Sequence, residues 1–80
     1  MDKKVYESVI SGKSDYNISF TDFQTLINNL GFDFKRQDGS HMIYRHDKYG
    51  INMNIQPDGS KAKAYQVKQL RNFMKKYGLK

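Results

Sequence analysis

The sequence predicts an α+β fold of order α-β-β-β-α, in which helices cover one face of a three-stranded antiparallel sheet and a short extra helix lies at the N-terminus. Two segments with apolar residues at helical spacing flank the middle of the chain. Between them, three segments alternate apolar and polar residues with a period of two, as strands with one buried face do. Short turns that contain glycine join these segments, and such turns favour consecutive antiparallel hairpins.

The N-terminal segment predicts a short helix over residues 3–10 and then a polar loop. The apolar residues of this helix are Val5, Tyr6, Val9 and Ile10. Asp2 is the predicted N-cap, and Gly12 is the predicted end of the helix. We assign residues 1–18 to this helix and loop, and residues 19–79 to the core of a single domain over residues 1–80. A chain of this length has room for one hydrophobic core.

The helix predicted over residues 20–30 has clear signals at both ends. Ser19 is placed to cap its N-terminus, and the carboxylate of Asp22 in the first turn favours the positive end of the helix dipole. Its apolar face consists of Phe23, Leu26, Ile27 and Leu30. Gly31 is expected to end the helix in the left-handed conformation, with Phe32 packing back in a Schellman motif.

The period of two divides the strand residues between a buried face and an open face. The open face is expected to carry Lys35, Gln37, His41, Ile43, Arg45, Asn52, Asn54 and Gln56. Four aromatic residues fit the apolar periods and are predicted to be core residues rather than base-stacking residues: Phe32, Phe34, Tyr44 and Phe73. Gly39 is the predicted turn residue before the second strand.

The last predicted helix, residues 65–77, has an apolar face and a separate basic stripe. The basic stripe consists of Lys68, Arg71 and Lys75. Residues 61–80 carry seven Lys or Arg and no acidic residue, whereas residues 1–60 carry seven basic and eight acidic residues. Such a concentration of positive charge is typical of proteins that bind polyanions. A lysine-rich helix that is merely solvated would have the same composition.

The composition and motifs exclude several classes of protein. The absence of cysteine excludes disulfides and thiolate zinc sites. No segment approaches the roughly 18 apolar residues of a membrane span, and residues 1–7 lack the apolar region of a signal peptide. The sequence contains no P-loop, nucleophile elbow or dinucleotide-binding glycine motif. We therefore expect a soluble, cytoplasmic protein that uses no cofactor and contacts no membrane.

One histidine of the predicted open face, His41, suits acid–base chemistry. A histidine side chain has an ordinary pKa of about 6.5 and can exchange protons near neutral pH. Metal-independent RNA cleavage needs a base, an acid and cations near the phosphate, and Lys35 and Arg45 are candidate cations. His46 is expected on the opposite face, so the two histidines form no metal site. Tyr49 or a water is the candidate second acid or base, and a histidine that merely points outward remains the alternative.

Several segments, in this order along the chain, resemble the HicA family of bacterial toxin–antitoxin ribonucleases. They are Leu30-Gly31-Phe32, residues 36–41, residues 42–46, residues 54–59 and residues 61–69. Gly39-Ser40-His41 is similar to the Gly-Ser-His signature of the family, in which the histidine is catalytic. The resemblance covers about three quarters of the chain and leaves the N-terminal 18 residues without an assigned role.

The resemblance implies a fold like that of double-stranded-RNA-binding domains and an endoribonuclease that cleaves messenger RNA. It implies that His41 is the catalytic residue, that no metal takes part, and that a HicB-type antitoxin neutralises the protein. We expect the RNA-binding residues to be Lys35, Arg45, Lys61, Lys63, Lys68 and Arg71. Two alternatives remain: a non-catalytic module that binds double-stranded RNA, and a protein-binding module whose basic patch contacts an acidic partner.

Overall fold

A computed structural model describes residues 3–80 and confirms the predicted α+β class. The elements are α1 (Lys3–Ser11), α2 (Phe20–Asn29), β1 (Asp33–Asp38), β2 (His41–His46), β3 (Ile51–Ile55), β4 (Pro57–Asp58), β5 (Lys61–Ala62) and α3 (Ala64–Tyr77). The first three strands form an antiparallel sheet of order β1-β2-β3, and β4 and β5 form a separate antiparallel ribbon. The predicted cap of α1, Asp2, lies outside the described residues. No helix within residues 3–80 has the length and apolar character needed to cross a membrane.

Both predicted ends of α2 are confirmed. The Ser19 hydroxyl accepts a hydrogen bond from the backbone N–H of Asp22 at 3.1 Å, which satisfies one of the free N–H groups of the first turn. At the other end Gly31 has φ +99°. The N–H of Phe32 donates to the carbonyl of Ile27 at 3.2 Å, the long bond of a Schellman motif. These contacts place the start of β1 directly after the helix.

The helices and the sheet share one hydrophobic core. Its buried apolar residues are Val9, Ile18, Phe23, Leu26, Ile27, Leu30, Phe32, Tyr44, Met53, Ile55, Ala62, Val67, Leu70, Met74 and Leu79. Met42 lies at the edge of this core, where the Gln24 amide donates to its sulfur at 3.0 Å. The predicted core residues Phe32 and Tyr44 are buried, whereas Phe73 is partly buried and packs against the core. Burial of Val9 shows that α1 belongs to the same core.

The strand β1 departs from the predicted alternation. Strands β2 and β3 pair in regular register, but β1 has a bulge between Phe34 and Arg36. Beyond the bulge Gln37 lies opposite Met42, so the prediction that Gln37 shares the face of His41 is wrong, and Asp38 lies opposite His41 instead. An extra residue in one strand changes the parity of every later residue in that strand.

The prediction that Phe34 is a core residue is also wrong. Phe34 lies opposite Tyr44 on the helix-covered face, yet it is half-exposed. Its ring packs edge-to-face on Tyr44 with 5.5 Å between the centroids. Every residue of β1 is exposed, whereas β3, the other edge strand of the sheet, buries Met53 and Ile55. The core therefore includes residues of β2 and β3 but none of β1, which leaves Phe34 with Tyr44 as its ring contact.

His46 closes the junction between α2 and the sheet. It is buried, as its predicted position on the face opposite His41 requires, and its Nε2–H donates to the carbonyl of Leu30 at 3.0 Å. The rings of Phe32 and Tyr49 lie 5.2 and 5.0 Å from the imidazole, between centroids. A Cβ atom at Gly31 would lie 2.7 Å from His46 Nε2. The junction therefore requires glycine both for its backbone angle and for space.

We expect Gly31→Ala to lower the free energy of unfolding by at least ~1–3 kcal/mol, the usual cost of a strained backbone position. The contact with His46 adds to this cost. Gly78→Ala is the matched control, since Gly78 also follows a helix with φ +62° but a Cβ there meets nothing within 4 Å. Urea unfolding measures both variants. Equal losses would show that the contact with His46 contributes nothing.

Candidate active site

His41 begins β2 and is exposed on the face of the sheet that also carries Ile43 and Arg45, here called the open face. The two residues between β1 and β2 are Gly39 and Ser40. Gly39 has φ +60°, while Ser40 does not have a positive φ. A glycine in this first position is what a two-residue hairpin of type II′ requires. The turn thus presents His41 at the end of the sheet where β1 and β2 meet.

Asn54 on β3 fixes the orientation of the His41 ring. Asn54 Oδ1 lies 3.0 Å from His41 Nδ1. An amide oxygen can only accept, so Nδ1 carries the proton in the neutral ring. Nε2 then keeps its lone pair, and the imidazole is exposed to solvent. This arrangement resembles the pairing of a catalytic histidine with an orienting amide or carboxylate, which sets the tautomer of the base.

A buried glutamine on α3 supports this end of the sheet. Gln66 is 2% exposed, and its amide nitrogen donates to the carbonyl of Asn54 at 3.0 Å and to the Tyr65 hydroxyl at 3.1 Å. Its amide oxygen accepts from the backbone N–H of Gln56 at 3.0 Å. The side chain of Gln66 therefore joins the backbone at the C-terminal end of β3 to the first turn of α3.

Two hydrogen bonds between side chains link a cation, Lys63, to the residue that precedes His41. Lys63 donates to Gln56 Oε1 at 2.7 Å, and Gln56 Nε2 donates to the Ser40 hydroxyl at 2.8 Å. Ser40 immediately precedes His41, so one glutamine side chain separates the ammonium group from the residue beside the histidine. Lys63 is thus the predicted RNA-binding lysine that the structure links to the surroundings of His41.

Lys35 and Arg45 lie at the other end of the open face. Both form ion pairs with Asp47, at 3.2 and 3.3 Å, and Arg45 also donates to Asn52 Oδ1 at 3.1 Å. Arg45 is four residues from His41 along β2, a backbone separation of about 13 Å. Both cations therefore lie at the far end of the strand from His41, and their contact with RNA stays a prediction.

The remaining predicted cations divide between the surface and the interior. Lys68 is exposed on α3, and exposed Lys61 donates to Asn17 Oδ1 at 2.9 Å. Arg71 instead makes two hydrogen bonds with the Asp15 carboxylate, at 2.8 and 3.0 Å, and one with the carbonyl of Val9. The bond to Asp15 raises the pKa of Arg71, against the opposing effect of its burial.

Arg71 therefore has a structural role, because it joins α3 to the loop of Asp15, and its contact with RNA stays a prediction. Tyr49, the candidate second acid or base, lies at the other end of β2 from His41. It comes after the last residue of β2, whereas His41 is the first, and the Tyr49 ring stacks on Tyr77 with 4.8 Å between the centroids. Within residues 3–80 no group of three His, Cys, Asp or Glu side chains is placed to hold a metal ion.

Sequence reasoning missed the residues that surround His41 rather than His41 itself. Asn54 and Gln56 are predicted on the open face without a role, and the pattern of residues in the last helix assigns none to Tyr65 or Gln66. A glutamine at a buried position of α3, in line with Val67 and Leu70, was the available signal.

The site and the fold together define a class: a small α+β protein with the arrangement of double-stranded-RNA-binding domains and an oriented, exposed histidine on its open face. The family described as the HicA toxin of bacterial toxin–antitoxin systems matches residues 20–79. The chain therefore belongs to the HicA toxin family, and this membership implies an antitoxin partner. Comparisons with curated proteins and with solved structures find no match.

We expect neutral His41 to carry its proton on Nδ1 in the wild-type protein, and Asn54→Ala to give a mixture of the two tautomers, because the acceptor for Nδ1–H is lost. Imidazole ¹⁵N chemical shifts in mildly alkaline solution measure this population. Asn52→Ala is the matched control on the same strand face, since Asn52 contacts Arg45 instead. An unchanged tautomer in Asn54→Ala would contradict the orienting role of Asn54.

Proposed function

We propose that this chain is the toxin of a toxin–antitoxin system and acts as a metal-independent endoribonuclease that cleaves messenger RNA, with His41 as its catalytic residue. The observation that carries the proposal is the hydrogen bond of His41 Nδ1 with Asn54, which leaves Nε2 as a base on an exposed surface. Family membership supports the toxin role.

In the proposed reaction, His41 Nε2 takes the proton of a ribose 2′-hydroxyl. The 2′-oxygen then forms a bond to the adjacent phosphorus, the bond from phosphorus to the 5′-oxygen breaks, and the leaving oxygen takes a proton from water. Lys63, which is linked through Gln56 to Ser40, is proposed to stabilise the negative charge on the phosphate oxygens. No metal is needed, because the base and the cation are both side chains.

The RNA is proposed to run across the basic surface formed by the start of α3. Lys68 is exposed there on α3, whose residues include no Asp or Glu, and exposed Lys61 lies on β5 opposite Asp58. Lys35 and Arg45 are proposed to contact a phosphate further along the strand, with an ion pair to Asp47 that is half-exposed and therefore weak.

We further propose that the antitoxin is of the HicB type and that it covers His41. A protein that inhibits a base exposed on an open sheet face must exclude RNA from that face. The surplus of basic residues beyond position 60 would attract an acidic partner surface and speed association.

A second candidate function is a non-catalytic module that binds double-stranded RNA. The element order and the exposed lysines at the start of α3 favour it, because such modules contact phosphates across a groove of the duplex. This function would make no use of the orientation of His41 by Asn54. A module of this kind would bind RNA without cutting it.

His41→Ala is expected to lower the rate of RNA cleavage in EDTA by about 10²- to 10⁴-fold, the usual contribution of a general base. The wild-type protein is expected to cut under the same conditions. Gel analysis of labelled single-stranded RNA measures both rates, and the unfolding midpoint checks that the exposed site leaves the fold intact. Wild-type rates in His41→Ala would refute the assignment. Binding without cleavage by both proteins would favour the binding module.

Lys63→Gln and Lys68→Gln are expected to act on different steps. Lys63→Gln should lower kcat by roughly 10²-fold, because a charge near the reacting phosphate is lost. Lys68→Gln should weaken binding to all RNA sequences alike and reduce the salt dependence by about one phosphate contact. Single-turnover rates and salt titrations separate the two effects. An altered cleavage preference in Lys68→Gln would contradict a phosphate-only contact.

A further inference from the structure

A shallow groove lies beside the candidate active site, between the loop before α2 and the start of α3. Its volume is about 410 Å³. The groove is lined by Tyr16, Asp58, Lys61, Ala62, Lys63, Ala64 and Tyr65. Lys63 also takes part in the hydrogen-bond chain that leads through Gln56 to Ser40, so the groove and the surroundings of His41 adjoin each other.

Two tyrosines of the groove are exposed to an unusual degree. The exposed fraction is 87% for Tyr16 and 64% for Tyr65. Aromatic side chains usually bury most of their surface, and exposed ones are common where a ring is needed to contact a ligand. A hydrogen bond holds Tyr65 at the surface. Its hydroxyl accepts from the amide of buried Gln66, which also donates to the backbone carbonyl of Asn54.

The loop that carries Tyr16 is fixed on both sides of the exposed ring. Before it, Asp15 forms two hydrogen bonds with Arg71. After it, Asn17 accepts from Lys61 at 2.9 Å, and the carbonyl of Ile18 accepts from the N–H of Ala62. The backbone is thus held in place while the side chain of Tyr16 stays in solvent. A ring on a fixed backbone loses less entropy when a ligand stacks on it than a ring on a mobile loop.

We propose that this groove binds unpaired bases of single-stranded RNA, which stack on Tyr16 and Tyr65 while Lys61 and Lys63 contact the phosphates. Aromatic rings interleaved with cations are the usual means of binding single strands, because every base has a face on which a ring can stack. A duplex does not offer these faces, since its bases are stacked on each other. The inference rests on the proposed function, as it names the form of RNA that reaches His41.

The chemistry of the groove is not uniformly basic. Asp58 contributes one carboxylate, which disfavours a phosphate at that end and can accept a hydrogen bond from the amino group of a base. Tyr16 lies outside residues 20–79, the part of the chain that matches the toxin family. The N-terminal segment therefore supplies one wall of the groove, a role that the family resemblance did not assign to it.

The test measures binding in a His41→Ala background, so that the RNA stays intact. The probes are an unstructured, labelled single-stranded RNA oligonucleotide and a duplex of the same length, followed by fluorescence anisotropy. We expect Tyr16→Ala to raise the Kd for the single strand by about 5- to 100-fold, as loss of one stacked base does. Tyr65→Ala should act in the same direction, and Tyr16→Phe should bind like the parent protein because the ring remains.

Phe34→Ala is the matched control, since Phe34 is an exposed aromatic residue on β1 that does not line the groove. It should bind the single strand like the parent. Parental binding by both Tyr16→Ala and Tyr65→Ala would overturn the inference, and so would an equal loss of duplex binding. If wild-type protein cleaves RNA and these variants bind normally, the proposed binding of bases in the groove is refuted, while the proposed catalysis stands. If neither wild-type nor His41→Ala cleaves but Tyr16→Ala weakens binding, the proposed catalysis fails and the groove stands.

Discussion

The side chain of Gln66 holds together the parts of the protein that surround His41. Its amide bonds to the carbonyl of Asn54, to the N–H of Gln56 and to the Tyr65 hydroxyl, so one buried group joins β3 to α3. A buried amide that lost these partners would be left unsatisfied at a cost of about 1–3 kcal/mol. The backbone position of Asn54, whose side chain contacts His41, is therefore held by the packing of a helix on the sheet.

Local signals account for most of the fold that the sequence predicts correctly. The serine cap and the Schellman glycine of α2 depend on neighbouring residues, and β2 and β3 keep a regular alternation, so both can be recognised without the tertiary structure. The bulge in β1 has no such local signal. It moves Gln37 to the other face, and the alternation of residues does not show that the core buries residues of β2 and β3 but none of β1, which leaves Phe34 half-exposed.

In the candidate site, too, local signals predict some features, whereas contacts between distant residues are not predicted. His41 is found from a short motif and from the parity of β2, but the partners of the charged residues lie far away in the sequence. Arg71 is predicted on the basic stripe of α3, but periodicity does not reveal that Asp15, 56 residues earlier, accepts its hydrogen bonds. Likewise, the ion pair of Lys35 with Asp47, 12 residues later, depends on the pairing of β1 with β2.

Because residues at and near the start of α3 complete the site, the site can assemble only late in the synthesis of the chain. The sheet and His41 are complete in the chain before Lys63, Gln66 and Arg71 are synthesised, and these three residues complete the site and fix the loop of Tyr16. The hydrogen bonds between Arg71 and Asp15 join residues 56 positions apart, and such contacts form late because a long loop must close first. A partly synthesised chain therefore holds His41 and Asn54 without Lys63 and Gln66, and the groove beside them is complete only after α3 has been translated and has docked.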